Sequence, residues 1–242
     1  MNHSSRPIVF TVCAVLLPIL AVAAHGAETR YPIGAARIDI TPAYPIRLNG
    51  YVVRKTESQG IQQRLWAKAL AIGGDRDGPA ILITVDNCGL PASVVDEVAA
   101  RLTRRAGIPR ERLAVCSSHT HAGPCVTGMA PNIFAESIPE AQRATIARYT
   151  RELIGKLERV ALAALADRRP CTLAFGQAKA YFAANRRTPG GPVDHDLPVL
   201  RARDASGRVR AVIAGYACHC TTLGGDFNRV CGDWAGVAQE AL

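Results

Sequence analysis

The sequence predicts an α/β fold, a single domain in which a mixed β-sheet is packed by helices. Three observations carry that prediction. Short β-branched runs such as "AILITVD" (80–86) alternate with longer amphipathic stretches. Gly-rich turns of hairpin length join several of the runs. The 242 residues are 48% hydrophobic, enough for one sizeable core, and no repeat, low-complexity tract or linker divides them.

At the amino end, the apolar run "IVFTVCAVLLPILAVAA" follows Arg6 and small residues gather around positions 23–27. Residues 1–26 therefore read as a secretory signal peptide, with 27–242 as the domain and a secreted or periplasmic location. The run falls a little short of the ~20 residues a spanning helix needs and contains Thr11 and Pro18, which weighs against an anchor. Cleavage would remove Cys13 from the 8 cysteines. An oxidising compartment permits disulfides among the others, but their spacing assigns no pairs and matches no zinc ribbon.

The elements then follow in order. "RLWAKALAI" (64–72) and "AILITVD" flank the turn "GGDRDGP" and predict a hairpin. "PASVVDEVAARLTRR" (91–105) places Val94, Val95, Val98 and Leu102 on a helical period, with Ser93 and Asp96 as a capping pair and Gly107 and Pro109 beyond its end. "RLAVCSS" (112–118) returns as a strand. A second helix opens on a Ser137/Glu140 capping box and aligns Ile146, Leu153, Leu157, Val160 and Ala164 on one face until "DRRP" stops it. "TLAFGQAKA" (172–180), "LPVLRARD" (197–204) and "VRAVIAGYACH" (209–219) read as strands, the last two joined through Ala205, Ser206 and Gly207. "GDWAGVAQEAL" (232–242) reads as the start of a further helix.

The formal net charge is +9, spread as scattered arginines, for example in "RLTRRAGIPRER" (101–112). Such a surface is solvated and can be drawn to anionic membranes. Without a basic stripe interleaved with aromatics, nucleic-acid binding is not expected, and no stable protein partner is inferred.

Chemistry concentrates in "AVCSSHTHAGP" (114–124), where a strand-like run ends in His119 and His121. "VIAGYACH" brings His219 to the end of another apolar run in the same way. Imidazoles on two strand ends can converge on one ion, each giving a neutral ring nitrogen at roughly 2.0 to 2.1 Å to zinc. On a strand, His119 and His121 would share a face, so that one holds metal while the other meets substrate or water. Cys218 and Cys220 would then point away from His219, as packed or disulfide-bonded residues. Arg186, in the Pro/Gly loop "ANRRTPGG" (184–191), can offer a guanidinium fork to a substrate carbonyl or hydroxyl, or be an ordinary exposed arginine. Asp86 is either a second carboxylate behind the site or a helix-entry residue, and Asp233 is equally open.

Taken in order, "GAARIDITP", "NGY" (49–51), "RLWAKAL", "ILITVDNCGL", "SSHTHAGP", "NRR" and "YACHCTTLGGDFNRVCGDWAG" resemble the amino-terminal part of the neutral/alkaline, non-lysosomal ceramidase family, over about residues 31–242. In the family's most specific motif, Thr-His-Thr-His-Ser-Gly-Pro, this chain has Ser118 and Ala122 at the flanks. The resemblance implies a zinc amidase that cleaves the N-acyl bond of ceramide, or of a related lipid amide at a membrane surface, to sphingosine and fatty acid. It implies His119 and His219 as zinc ligands, His121 as the catalytic group beside them, and Arg186 and Gly50 as substrate-binding residues. It further implies that a Glu and a Tyr completing the zinc shell lie beyond the matched region, so a partial catalytic domain is expected. A hydrolase of a different amide, or a secreted binding module that performs no reaction, stands as the alternative.

Overall fold

The computed structural model describes residues 29–130, 132–134 and 136–242, so the expected signal peptide lies outside the described residues. Seven strands form one mixed sheet: β1 (Tyr31–Asp39), β2 (Trp66–Ile72), β3 (Ala80–Val85), β4 (Leu113–Ser117), β5 (Arg169–Lys179), β6 (Asp196–Asp204) and β7 (Val209–Ala214). Their order is β4-β3-β2-β1-β5-β6-β7. Only β3 and β4 run parallel. A parallel pair needs a crossover, and α1 (Ala92–Ala106) supplies it. α2 (Glu140–Ala166) then carries the chain from the β4 edge to β5 on the far side of β1, and α3 (Asp233–Glu240) follows the last strand.

The main core lies between β1–β4 and the two long helices. Leu153, Leu157, Val160 and Ala164 of α2 and Val98 and Leu102 of α1 close over Ile81, Ile83 and Ala67. The apolar period expected for α2 is therefore the face it buries. Gly34 of β1 marks the closest approach: a Cβ there would stand 2.0 Å from the Ala164 carbonyl oxygen, so only glycine lets α2 seat on the strand. Glu158 of α2 accepts from Arg101 and Arg105 of α1, clasping the helices at their rim. A smaller cluster of Ile33, Leu70, Cys171 and Ala202 sits apart from the main core, and β5–β7 leave much of their surface exposed.

Several expectations change. Neither capping pair forms: α1 starts at Ala92 after Pro91, so Ser93 is already inside the helix, and α2 starts after Pro139, leaving Ser137 too early. Gly107 does end α1 in a left-handed conformation, its N–H donating to the Thr103 carbonyl and Ile108 N–H to that of Leu102. The final strand stops at Ala214, so His219 lies in a loop and not at a strand end. All seven described cysteines are free.

Candidate metal centre

The site forms beyond the carboxyl ends of the parallel pair β3 and β4, where open α/β sheets commonly place their ligands. The chain leaves β4 at Ser117 and turns sharply: His119 adopts φ 62°, a left-handed conformation that costs a non-glycine residue about 1–2 kcal/mol. Backbone bonds to the β3 exit hold the turn, Ser118 N–H donating to Val85 and His119 N–H to Asn87. Asn87, fully buried, ties the same exit to the Pro124 carbonyl through Nδ2 at 3.0 Å.

A second set of bonds stitches this loop to the segment carrying His219. His121 N–H donates to the Cys220 carbonyl, Cys231 N–H to Ala122, and Thr120 Oγ1 to the Cys231 carbonyl at 2.8 Å. Loop against loop, rather than strand beside strand, therefore brings the three imidazoles together. Regular strand alternation is not what aligns His119 with His121, and it says nothing about Cys218 and Cys220. Cys220 is simply buried and Cys218 partly so.

The ring contacts are close. Nε2 of His121 lies 3.3 Å from Nε2 of His119 and 2.8 Å from Nε2 of His219. The His119 and His219 centroids are 4.6 Å apart. His119 Nδ1 faces the Cys88 carbonyl oxygen at 2.5 Å and so carries its proton there, which leaves the Nε2 lone pair turned to the centre. Arg186 Nη2 lies 3.3 Å from His219 Nδ1; a guanidinium only donates, so in this state His219 bears its proton on Nε2 and gives it to His121. His121 Nδ1 is then a buried N–H with no well-aligned hydrogen-bond partner among the described residues.

Charge follows from this crowding. Burial, then the neighbouring rings of His119 and His219, push His121 down to about 4. Burial, His119 and Arg186 also lower His219. Neutral imidazoles are the form that binds metal. The Cys88 thiol lies 3.9 Å from His119 Nδ1, and burial pushes it up to about 11. Donor atoms of Cys88, His119 and His121 all lie within 4.8 Å of one another, a cluster that can coordinate a metal ion. The donor set fits a borderline-soft divalent cation such as zinc.

The other anticipated residues take distinct places. Gly50, at φ 100°, backs the His121 ring so closely that a Cβ would stand 2.5 Å from its Cγ. Arg186 reaches the site edge and contacts Thr221 as well as His219. Asp86 is buried and accepts from Trp66 N–H and from Gln239 Nε2 of α3, tying sheet to helix away from any helix entry. Asp233 accepts from Thr222 and Leu223 backbone N–H groups and fixes the loop that follows His219.

A profile of the family described as neutral/alkaline non-lysosomal ceramidase, N-terminal, matches residues 31–242. The chain belongs to that ceramidase family. Among curated ceramidases, neutral ceramidase of Drosophila melanogaster is 23% identical over 231 residues, covering 88% of this chain and 32% of that protein. Neutral ceramidase B of Dictyostelium discoideum is 26% identical over 236 residues, 88% of this chain and 31% of that protein. The solved neutral ceramidase from Pseudomonas aeruginosa shares the fold at a TM-score of 0.71 and 24% identity, over 86% of this chain and 35% of that one. A structure of a ceramidase complexed with C2 superposes equally well. The chain thus spans about a third of the length of the ceramidases it matches.

Two residues of this ceramidase-family site escaped the reading of the sequence. Spacing does not distinguish Cys88 from the other cysteines, although "VDNCG" (85–89) leaves the strand next to the one that delivers His119. Arg54 is buried and binds the His121 carbonyl, and no motif in the sequence marks it. No spacing rule points to it.

Proposed function

We propose that this chain carries the metal-binding part of a zinc-dependent amide hydrolase that cleaves the N-acyl bond of ceramide or a related lipid amide to sphingosine and fatty acid. The observation that carries the reading is the convergence of the His119, His121 and His219 Nε2 atoms on a ceramidase-family fold. His119 and His219 would hold the ion through Nε2, His119 with its Nδ1–H already anchored on the Cys88 carbonyl. When bound, zinc supplies Lewis acidity and a water whose pKa approaches ~7, which suits an otherwise unreactive amide. His121, kept neutral, presents Nε2 beside both ligand rings and can accept or hand on a proton there. Gly50 holds that ring in place from behind. Arg186 lies exposed at the edge and offers donors to the polar head of the substrate, releasing His219 Nδ1 as it does so.

Among the described residues no helix is long and apolar enough to cross a membrane, and in this reading the lipid amide is met at a membrane surface after export directed by residues 1–26. The test is the zinc content of this chain together with ceramide turnover by a chain extended to the length of the ceramidases it matches. One zinc per chain, lost in His119→Ala and His219→Ala, with fatty acid released from ceramide, is the expected result. Zinc without fatty-acid release would reject the substrate and keep the metal centre. A chain that takes up no zinc would reject both. The amino terminus of the exported protein, read by mass spectrometry, tests the cleavage.

A further inference from the structure

Arg54 is 3% exposed, and its partners among the described residues are all main-chain carbonyls. Nη1 donates to Asn49 at 2.8 Å and to His121; Nη2 donates to Phe227 at 2.8 Å and Gly224 at 3.3 Å; Nε donates to Gly225 at 3.3 Å. The five acceptors match the five N–H groups of a guanidinium. They belong to three separate segments: the one that carries Gly50, the loop that carries His121, and the loop five residues past His219. The guanidinium also lies over the Tyr51 ring at 4.8 Å, and Tyr51 Oη donates to the Leu223 carbonyl at 2.8 Å, adding to the same junction.

We infer that Arg54 is a positioning residue of the metal centre, a clasp that sets the separation between the His121 and His219 rings. This rests on the metal-centre reading above. A buried cation held only by carbonyl dipoles is costly to place, and core packing alone does not require one here. What the guanidinium supplies is a rigid planar fork that fixes three loops at once. A lysine, with three donors at one point on a flexible stem, cannot reach the same set.

The experiment measures zinc affinity by chelator competition, with the fold followed by far-UV circular dichroism and thermal melting, in the full chain. Arg54→Lys is expected to fold and to lose roughly 10–100-fold in zinc affinity, as for other lost outer partners of metal ligands. Methylguanidinium added to Arg54→Ala is expected to restore affinity, and to do nothing for His119→Ala. A folded Arg54→Lys with wild-type affinity would overturn the inference while leaving the metal centre intact. So would an Arg54→Ala chain that regains neither fold nor affinity with methylguanidinium, which also decides the matter where the lysine variant does not fold. Wild-type chain that takes up no zinc would remove the metal centre and this inference together.

Discussion

His121 and His219, 98 positions apart in the chain, bring their Nε2 atoms to 2.8 Å. Two lone pairs cannot face each other at that distance, so a proton or a cation must lie between the rings. Without metal, Arg186 directs the His219 proton into that gap. For His219 to hold an ion through Nε2, as proposed, it must first give up that proton. On the proposed ligation by His119 and His219, removing either ring should cost more than the roughly 10–100-fold typical of outer partners. His119→Ala and His219→Ala are expected to exceed that loss in zinc affinity by calorimetry while melting near the wild-type temperature, because both rings sit in loops outside the main core.

Arg186 works against the ion in the metal-free state, since its contact with His219 Nδ1 keeps the proton on Nε2. Arg186→Ala should leave zinc affinity unchanged or a few-fold higher. On the hydrolase proposal, and in a chain extended to the length of its relatives, the same variant should weaken substrate binding, seen as a raised KM with a smaller change in kcat. A fall in zinc affinity on removing this side chain would show that it supports His219 instead of competing for it.

The long elements were legible because their chemistry is local. "AILITV" and the α2 face carry their period in the residues themselves, and Gly107 marks the end of α1 by its own conformation. β1 gave little warning. Its "YPIGAARID" is short of β-branched residues, and its place depends on Gly34 meeting Ala164 more than a hundred positions later. The histidines themselves were legible as a spacing, but the reason they meet was not. Backbone bonds between the 119–122 and 220–231 segments do what strand geometry was expected to do. Cys88 and Arg54 went unread for the same reason: each acquires its role only from loops that other parts of the chain bring to it.

Gly50→Ala probes the packing behind His121. The new Cβ would meet the ring at 2.5 Å from a backbone at φ 100°, where an L-residue is strained by about 1–2 kcal/mol. The ring is expected to move off the centre rather than the fold to fail, because Gly50 lies in a loop and is only partly buried. Stability should drop by about 1–3 kcal/mol in urea unfolding. Zinc affinity, or the cobalt spectrum of the substituted site, should change by more than that loss alone accounts for.

Acid stability should fall in two stages in the metal-free chain. His121 titrates near 4 in the folded protein, because burial and the rings of His119 and His219 oppose its charge, against about 6.5 unfolded. Between those values the unfolded chain holds more protons than the folded one, so stability is full above about 6.5 and drains away as pH falls toward 4. Asp167 acts lower. Burial would raise it, but the Ala35 N–H, Arg210 and Arg169 outweigh that and hold it below 3.8; its contribution is present above the unfolded value and lost as pH falls through the folded one. His121→Gln should flatten the upper stage of a melting-temperature profile and leave the lower, and Asp167→Asn should do the reverse. A wild-type profile level from pH 7 to the His121 value would mean that the ring is solvated in the metal-free chain, and that the crowding of the three imidazoles does not persist in solution.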